Sequence, residues 1–295
     1  MDNTSFIPCF LRELPPEEQV QAAAEAIRIN PMNAPVAAAL PMVMNGLVGI
    51  TPNEVILPDH LALLTSKYWG SNGVRLTVSF MDNPPSELRA KIISHMNAWN
   101  KTANVIFVET GSGGQVRIAR TPGQGYYSYL GTDILRIPAN QQTMNLDSFT
   151  LNTPDSEFYR VVRHETGHTL GMIHEHMRRQ IVARLDVNKT ILYFQRTQGW
   201  SAQTTRQQVL TPIEEVSLRA SPNADIVSIM CYQLPGEITI DGLPIVGGND
   251  IDSMDYEFVG SFYPKPNVPQ PPVPEKPKVT FEIDCDNFKG VKVLP

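Results

Sequence analysis

Four of the six histidines in this 295-residue chain fall within thirteen residues: His164, His168, His174 and His176, in the run HETGHTLGMIHEH. A helix turns once in 3.6 residues, so His164 and His168, four apart, stand on one face and can share a metal ion. Glu165 sits beside the first of them, where it can reach a water on the metal without binding the metal itself. Gly171 can end that helix, because glycine takes a left-handed turn without steric cost. The chain then doubles back and presents His174 as a third imidazole. Three protein ligands leave the fourth position of a tetrahedral zinc open, the mark of a catalytic rather than a structural site. HExxH alone also occurs on ordinary surface helices; the extended HExxHxxGxxH fixes five positions and is far more specific.

A second signal lies about sixty residues on, where Ser228-Ile229-Met230-Cys231-Tyr232 resembles the Met-turn that lies under the zinc of metzincin peptidases. Within that clan the chain resembles the astacin family. Glu175 directly follows the third histidine, and His174 to Arg178 reads HEHMR, like the astacin HEHxR. The tyrosine two places after the methionine is astacin-like, as is the aromatic stretch Gly125 to Gly131, GYYSYLG. Asp255, eight residues before Tyr263, matches the family's C-terminal helix. These matches run from about Tyr68 to Tyr263.

The resemblance implies an α+β metzincin fold: a twisted five-stranded mixed sheet with two long helices, then a loop-rich C-terminal subdomain with one closing helix. It implies one catalytic Zn²⁺ held by His164, His168 and His174, with Glu165 as general base and acid of peptide hydrolysis. It further implies that Tyr232 bonds the developing oxyanion, that Met230 floors the imidazoles, and that Gly171, Glu175 and Asp255 give structural support. The expected partners are protein or peptide substrates, bound extended and antiparallel to an edge strand, since backbone pairing positions a scissile bond whatever its side chains. A latent zymogen and a non-catalytic zinc-containing peptide-binding module of the same fold are the alternatives; the intact Glu165 and Tyr232 weigh against the second.

The elements that must position these residues are legible in outline. Pro15-Pro16-Glu17-Glu18 opens a helix through Ile29, with Val20, Ala23, Ala24 and Ile27 on one stripe, and Asn30-Pro31 stops it. Residues 1–67 form a leader, either a packed extension or an inhibitory prosegment. The catalytic domain spans 68–263. Val74 to Phe80 alternates as a strand, and 84–100 reads as a helix with Leu88, Ile92, Met96 and Trp99 on one face. Asn104 to Glu109, Gln115 to Arg120 and Tyr126 to Leu130 are further strands, and Gln142 to Leu146 is expected at the sheet edge facing the cleft. The zinc helix, about 154–171, is expected to be capped at Thr153-Pro154-Asp155. The C-terminal subdomain, about 172–263, reads as loops apart from a closing helix near 252–262. Seven prolines make 264–277 an extended linker, and 278–295 form a tail with one strand's worth of alternation.

Composition bounds the rest. A hydrophobic content of 42%, charged content of 18% and net charge of −6 describe an ordinary globular chain and disfavour nucleic acid as partner. The run Val36 to Ile50, interrupted by Pro41 and Asn45, is too short to span a bilayer. The first eighteen residues show neither a basic n-region nor an apolar h-region. Cys9, Cys231 and Cys285 are odd in number and far apart, so no disulfide framework is expected, whereas astacins usually carry two disulfides. The expectation is a monomer that is cytoplasmic, or exported by a non-classical route as a bacterial effector would be.

Several residues carry competing readings. Glu175 matches a residue that bonds the new N-terminus of mature astacins, but a local partner, Arg178 or Arg163, is the simpler reading here. His176 reads as a supporting or surface residue, not a fourth ligand. Asp250, Asp252 and Asp255 do not have EF-hand spacing, and helix capping by Asp252 with Asp255 holding the Met-turn is favoured over a calcium loop. Cys9 is a candidate switch ligand, though no known switch motif surrounds it; Cys231 reads as core, and His60 and His95 as ordinary. No Lys or Arg lies between Tyr232 and Lys265, against six acidic residues. The acidic residue that astacins often prefer just after the cut is therefore not expected, unless an arginine from elsewhere lines the pocket.

Overall fold

The computed structural model describes residues 9–34, 65–213, 224–266, 281–282 and 292–293. The leader helix α1, Pro16–Ile29, buries Ala22, Ala23, Ala26 and Ile27. That face is rotated from the expected stripe, because the alanines dock flat while Val20 and Ala24 stay at the margin. Beyond α1, Asn33 is buried and spans the join to the catalytic core. Its amide donates to the carbonyls of Ala26 (2.9 Å) and Tyr68 (2.7 Å) and accepts from the Tyr68 N–H (3.0 Å). A buried ion pair between Lys67 and Asp133 (3.2 Å) lies alongside.

Strand β1, Val74–Phe80, turns Val74, Leu76 and Val78 inward, as its alternation requires. Helix α2, Ser86–Met96, follows and buries Leu88, Ile92 and Met96. Strands β2 (Val105–Glu109), β3 (Val116–Ala119), β4 (Tyr126–Ser128) and β5 (Met144–Leu146) complete a five-stranded sheet in the order β2-β1-β3-β5-β4. Four strands are parallel, and β4 alone is antiparallel to its neighbour. The strand expected at the edge, within Gln142 to Leu146, is therefore interior: β5 inserts between β3 and β4, and β4 lines the cleft. Chain order does not reveal such an insertion. The Asn145 side chain fastens it by bonding Thr121 N–H (2.9 Å) and the Gly125 carbonyl (2.7 Å).

The helix that carries HExxH, α3, runs through Asp155–Glu157, a π-helical turn at Phe158–Val162 and Arg163–Thr169. Its cap differs from expectation, because Pro154 at the N-cap has no side-chain donor or acceptor and the Thr153 hydroxyl accepts from Thr150 N–H instead. π-Turns widen a helix locally and recur at functional sites; this one ends two residues before His164. The Trp99 indole, fully buried beyond α2, donates to the Arg163 carbonyl (3.0 Å) and braces α3 against the sheet layer.

The second half holds more helix than its sequence suggested. Helix α4, Val187–Gln198, is capped by Asp186, whose carboxylate accepts from Lys189 N–H, and ends at Gly199 in the left-handed region. It packs Phe194 against Leu185, Trp200, Val209 and Leu234 in a second apolar cluster. The closing helix α5, Ser253–Phe262, begins with a reciprocal capping box between Asp252 and Asp255. Just past it, the buried Tyr263 hydroxyl donates to the Leu170 carbonyl (2.5 Å) and accepts from Trp69 N–H (3.1 Å), tying α5 to the end of α3. The proline linker and most of the tail lie outside the described residues; within the tail Phe281–Glu282 and Lys292–Val293 pair antiparallel, two strands rather than one. Among the described residues no helix is long and apolar enough to cross a membrane.

Candidate active site

Helix α3 delivers His164 and His168 to one buried point, and the chain then reverses at Gly171. Gly171 has φ +96°, and a Cβ there would lie 2.9 Å from the Tyr68 ring, so both backbone and space require glycine. The reversal returns His174, whose Nε2 lies 3.3 Å from that of His164 and 3.1 Å from that of His168. The opposite ring nitrogens fix the tautomers: His164 Nδ1 donates to the Ile229 carbonyl (2.6 Å) and His168 Nδ1 to the Met172 carbonyl (2.7 Å). Their Nε2 lone pairs therefore both face the Nε2 of His174, an acceptor-lined point that suits a cation. Burial holds all three imidazoles neutral, with His168 lowered to about 4, and a metal ligand must be neutral.

Glu165 is completely buried, and its Oε1 has no hydrogen-bond partner. Desolvation pushes its carboxyl up to about 8, against a smaller lowering by the Cys9 thiol and the Arg160 charge. Its Oε2 accepts from the thiol of Cys9 (3.3 Å). Cys9 Sγ and a ligand nitrogen of each of His164, His168 and His174 all lie within 4.8 Å of one another. The Cys9–Glu165 contact spans 156 residues of sequence, and no local motif announces it. Tyr232 is equally buried, and its hydroxyl donates to the Cys9 carbonyl.

The floor is built from Ser228 to Met230. Asp255 accepts from the Ser228 hydroxyl (2.6 Å) and from Ile229 N–H (2.9 Å), and the Ser228 Oγ accepts from Met230 N–H (3.0 Å). The Ile229 carbonyl so placed is the one that orients His164. Burial raises Asp255 to about 6. The carboxylates of Asp225, Asp252 and Asp255 lie within 4.8 Å of one another, but Asp252 and Asp255 are engaged as cap and floor support, in keeping with the capping reading. Above the floor, a Cβ on Gly167 would lie 2.5 Å from Met230 Sδ. Gly167→Ala is accordingly expected to destabilise the fold by about 1–3 kcal/mol, as overpacking does. Urea unfolding measures it, and an unchanged midpoint would mean that Met230 yields freely.

Glu175 takes the local partner: its Oε1 accepts from Arg178 Nη1 (3.1 Å) and from Asp225 N–H (2.9 Å), while Arg163 pairs with Asp250 (2.5 Å). His176 is not on the surface. It is fully buried and stacks on the Tyr232 ring at 3.8 Å between centroids. Cys231 is buried as expected, His95 is half-buried between the Phe158 and Tyr159 rings, and His60 lies outside the described residues. Arg160, one helical turn ahead of His164, lines a small cavity with Tyr126, Val161, Glu165, Ile229 and Gly248. Sequence reading did not single out Arg160; its four-residue spacing from His164 is the signal that could have found it.

Three buried imidazoles converging beside a buried carboxylate, over a methionine floor and against the antiparallel edge of a mixed sheet, define an α+β metal-dependent hydrolase of the metzincin class. The family model for the astacin peptidases matches residues 64–234, and the chain belongs to the astacin family of zinc metalloendopeptidases. It is similar to two solved structures of myroilysin, each 32% identical over 68% of this chain. They align with TM-scores of 0.63 and 0.52, over 96% and 87% of the myroilysin chains. A zinc-protease hatching enzyme from the medaka fish Oryzias latipes aligns at 18% identity and TM-score 0.46, over 66% of this chain and 92% of its own. No curated protein matches.

Proposed function

We propose that this chain hydrolyses peptide bonds within protein or peptide substrates, with His164, His168 and His174 holding zinc, Glu165 moving the protons and Tyr232 serving the oxyanion. The observation that carries this is the convergence of three Nε2 atoms beside a buried carboxylate with one unpaired oxygen. Zinc bound there supplies Lewis acidity, making water nucleophilic near neutral pH and polarising the scissile carbonyl. Glu165 takes the proton of the attacking water and passes it to the leaving amine. A Tyr232 hydroxyl that already bonds a peptide carbonyl beside the cluster supports its role as oxyanion donor.

The leader supports a second statement: the form described is latent. Cys9 fills the reaction centre, and the residues after it run along β4, with bridges Cys9 to Tyr126 and Arg12 to Tyr129 and a bond from Phe10 N–H to the Tyr126 carbonyl (2.9 Å). These bridges are parallel, whereas a substrate pairs antiparallel to the edge strand. The strap thus occupies the cleft in reverse and offers no bond in the productive direction.

That direction also supports a role for the Arg160 cavity. A substrate antiparallel to β4 enters from the Tyr129 end, so the cavity at the Tyr126 end receives the residue just after the cut. With a guanidinium in its wall, paired to Glu157 (2.7 Å), the pocket suits a carboxylate. Cleavage of a degenerate peptide library is expected to favour Asp or Glu there by about 10- to 100-fold, the range of charge-assisted bonds, and Arg160→Gln to erase the preference. Cleavage without acidic bias would sink the Arg160 assignment; no cleavage of any member by strap-released chain would sink the endopeptidase reading.

A further inference from the structure

The strap is held from both sides, and the second side is not a strand. In an extended chain successive residues turn their backbone groups in opposite directions. Phe10 turns its N–H to β4. Leu11 turns the other way: its N–H donates to Gln208 Oε1 (2.9 Å), and its carbonyl accepts from Gln208 Nε2 (3.3 Å). One side-chain amide therefore reads both backbone groups of one residue, as a neighbouring strand would. Because β4 is the sheet edge, the cleft has a hydrogen-bonding wall on one side only, and Gln208 supplies the other.

Gln208 is itself set in register with the reaction centre. It sits in a π-helical turn, Arg206–Leu210, and its own carbonyl is bonded by His176 Nε2 (3.0 Å). His176 is fully buried and stacks on Tyr232. The clamp is thus fixed relative to the hydroxyl that bonds the Cys9 carbonyl.

We infer that Gln208 clamps the backbone of a bound substrate at the third residue before the scissile bond. The register follows from the strap and rests on the function proposed above. If Tyr232 attends the scissile carbonyl, Cys9 stands where the last residue before the cut will stand. Leu11, two positions along the same extended path and facing the same way, then marks the third. A substrate runs opposite to the strap, so its N–H and carbonyl exchange places. The Gln208 amide meets that exchange by rotating about its last torsion, which is broad and roughly two-fold. The contact is blind to side chains and is formed in ground and transition states alike, so it lowers KM and leaves kcat little changed.

Two fluorogenic peptides test this, identical except that an ester oxygen replaces the N–H of the third residue before the cut. The ratio of their kcat/KM values within one protein is independent of the active fraction, so full-length chains serve. Wild type is expected to prefer the amide peptide by about tenfold through KM, the weight of one or two hydrogen bonds. Gln208→Ala is expected to cleave the two peptides equally. Gln208→Ala discriminating as wild type does would overturn the clamp, and so would an equal loss on both peptides, which marks a general structural effect. If full-length wild type cleaves neither peptide, as a latent chain would, the same pair is given to strap-released chains, whose failure on both would sink the catalytic reading. Hydrogen exchange at Leu11 of the full-length chain then decides whether Gln208 grips the backbone. Exchange about tenfold faster in Gln208→Ala supports it, and unchanged exchange rejects it.

Discussion

Glu165→Gln is expected to reduce peptide hydrolysis by at least about 10³-fold while leaving the zinc content of the protein unchanged. The size follows from proton transfer, which contributes about 10²–10⁴-fold in general acid–base catalysis and here falls to one group in both halves of the reaction. The separation of activity from zinc content follows from geometry. The converging ligand nitrogens belong to His164, His168 and His174, while Glu165 sits beside them with its Oε1 unpaired and its Oε2 on Cys9. Glutamine fills the same volume and keeps a carbonyl oxygen, so the fold is retained, but it cannot accept the proton. Metal analysis with a turnover assay on each variant checks both halves. Zinc lost in parallel with activity would mean that Glu165 helps to hold the ion, and the assignment of base and ligands would need revision.

The second large effect has the opposite sign. Cys9→Ala in the full-length chain is expected to raise activity by about 10- to 100-fold, the weight of one charge-assisted contact at the centre. The strap would still be held by Phe10 on Tyr126 and by Leu11 on Gln208, so release is partial. Cys9→Ser, which keeps a weaker polar atom in place, should give a smaller gain. Initial rates on a short quenched peptide measure the difference. Equal rates for Cys9→Ala and wild type would show that the thiol does not hold the chain latent.

How much of this was written locally in the sequence depends on the range of each interaction. The zinc helix, the turn at Gly171 and the capping box at Asp252 arise from residues a few positions apart, and spacing exposes them. The methionine floor, held by Asp255 26 residues from Ile229, was legible only through its resemblance to the Met-turn. Helix α4 lies in a stretch that reads as loop, although Asp186 and Gly199 bracket it with a cap and a left-handed stop. It buries only Thr190 and Phe194 and exposes Val187 and Leu192, which hid the periodicity. The sheet edge was not legible, because chain order carries no record that β5 inserts ahead of β4. Cys9 on Glu165 and Gln208 on Leu11 join segments 156 and 197 residues apart. Such contacts follow from the assembled fold, not from any pattern around either residue. Arg160 lies between these cases: its spacing from His164 placed it on the right face, but only the packed cavity shows what it lines.

The most direct test of the central claim is an unfolded protein substrate incubated with strap-released chain, with the same chain carrying Glu165→Ala, and with the chain after zinc chelation. New peptide termini are counted by mass spectrometry. Abundant termini from the unmodified enzyme, almost none from the other two, and recovery on adding zinc back to the chelated sample are the expected results. Equal numbers of termini in all three samples would contradict the account.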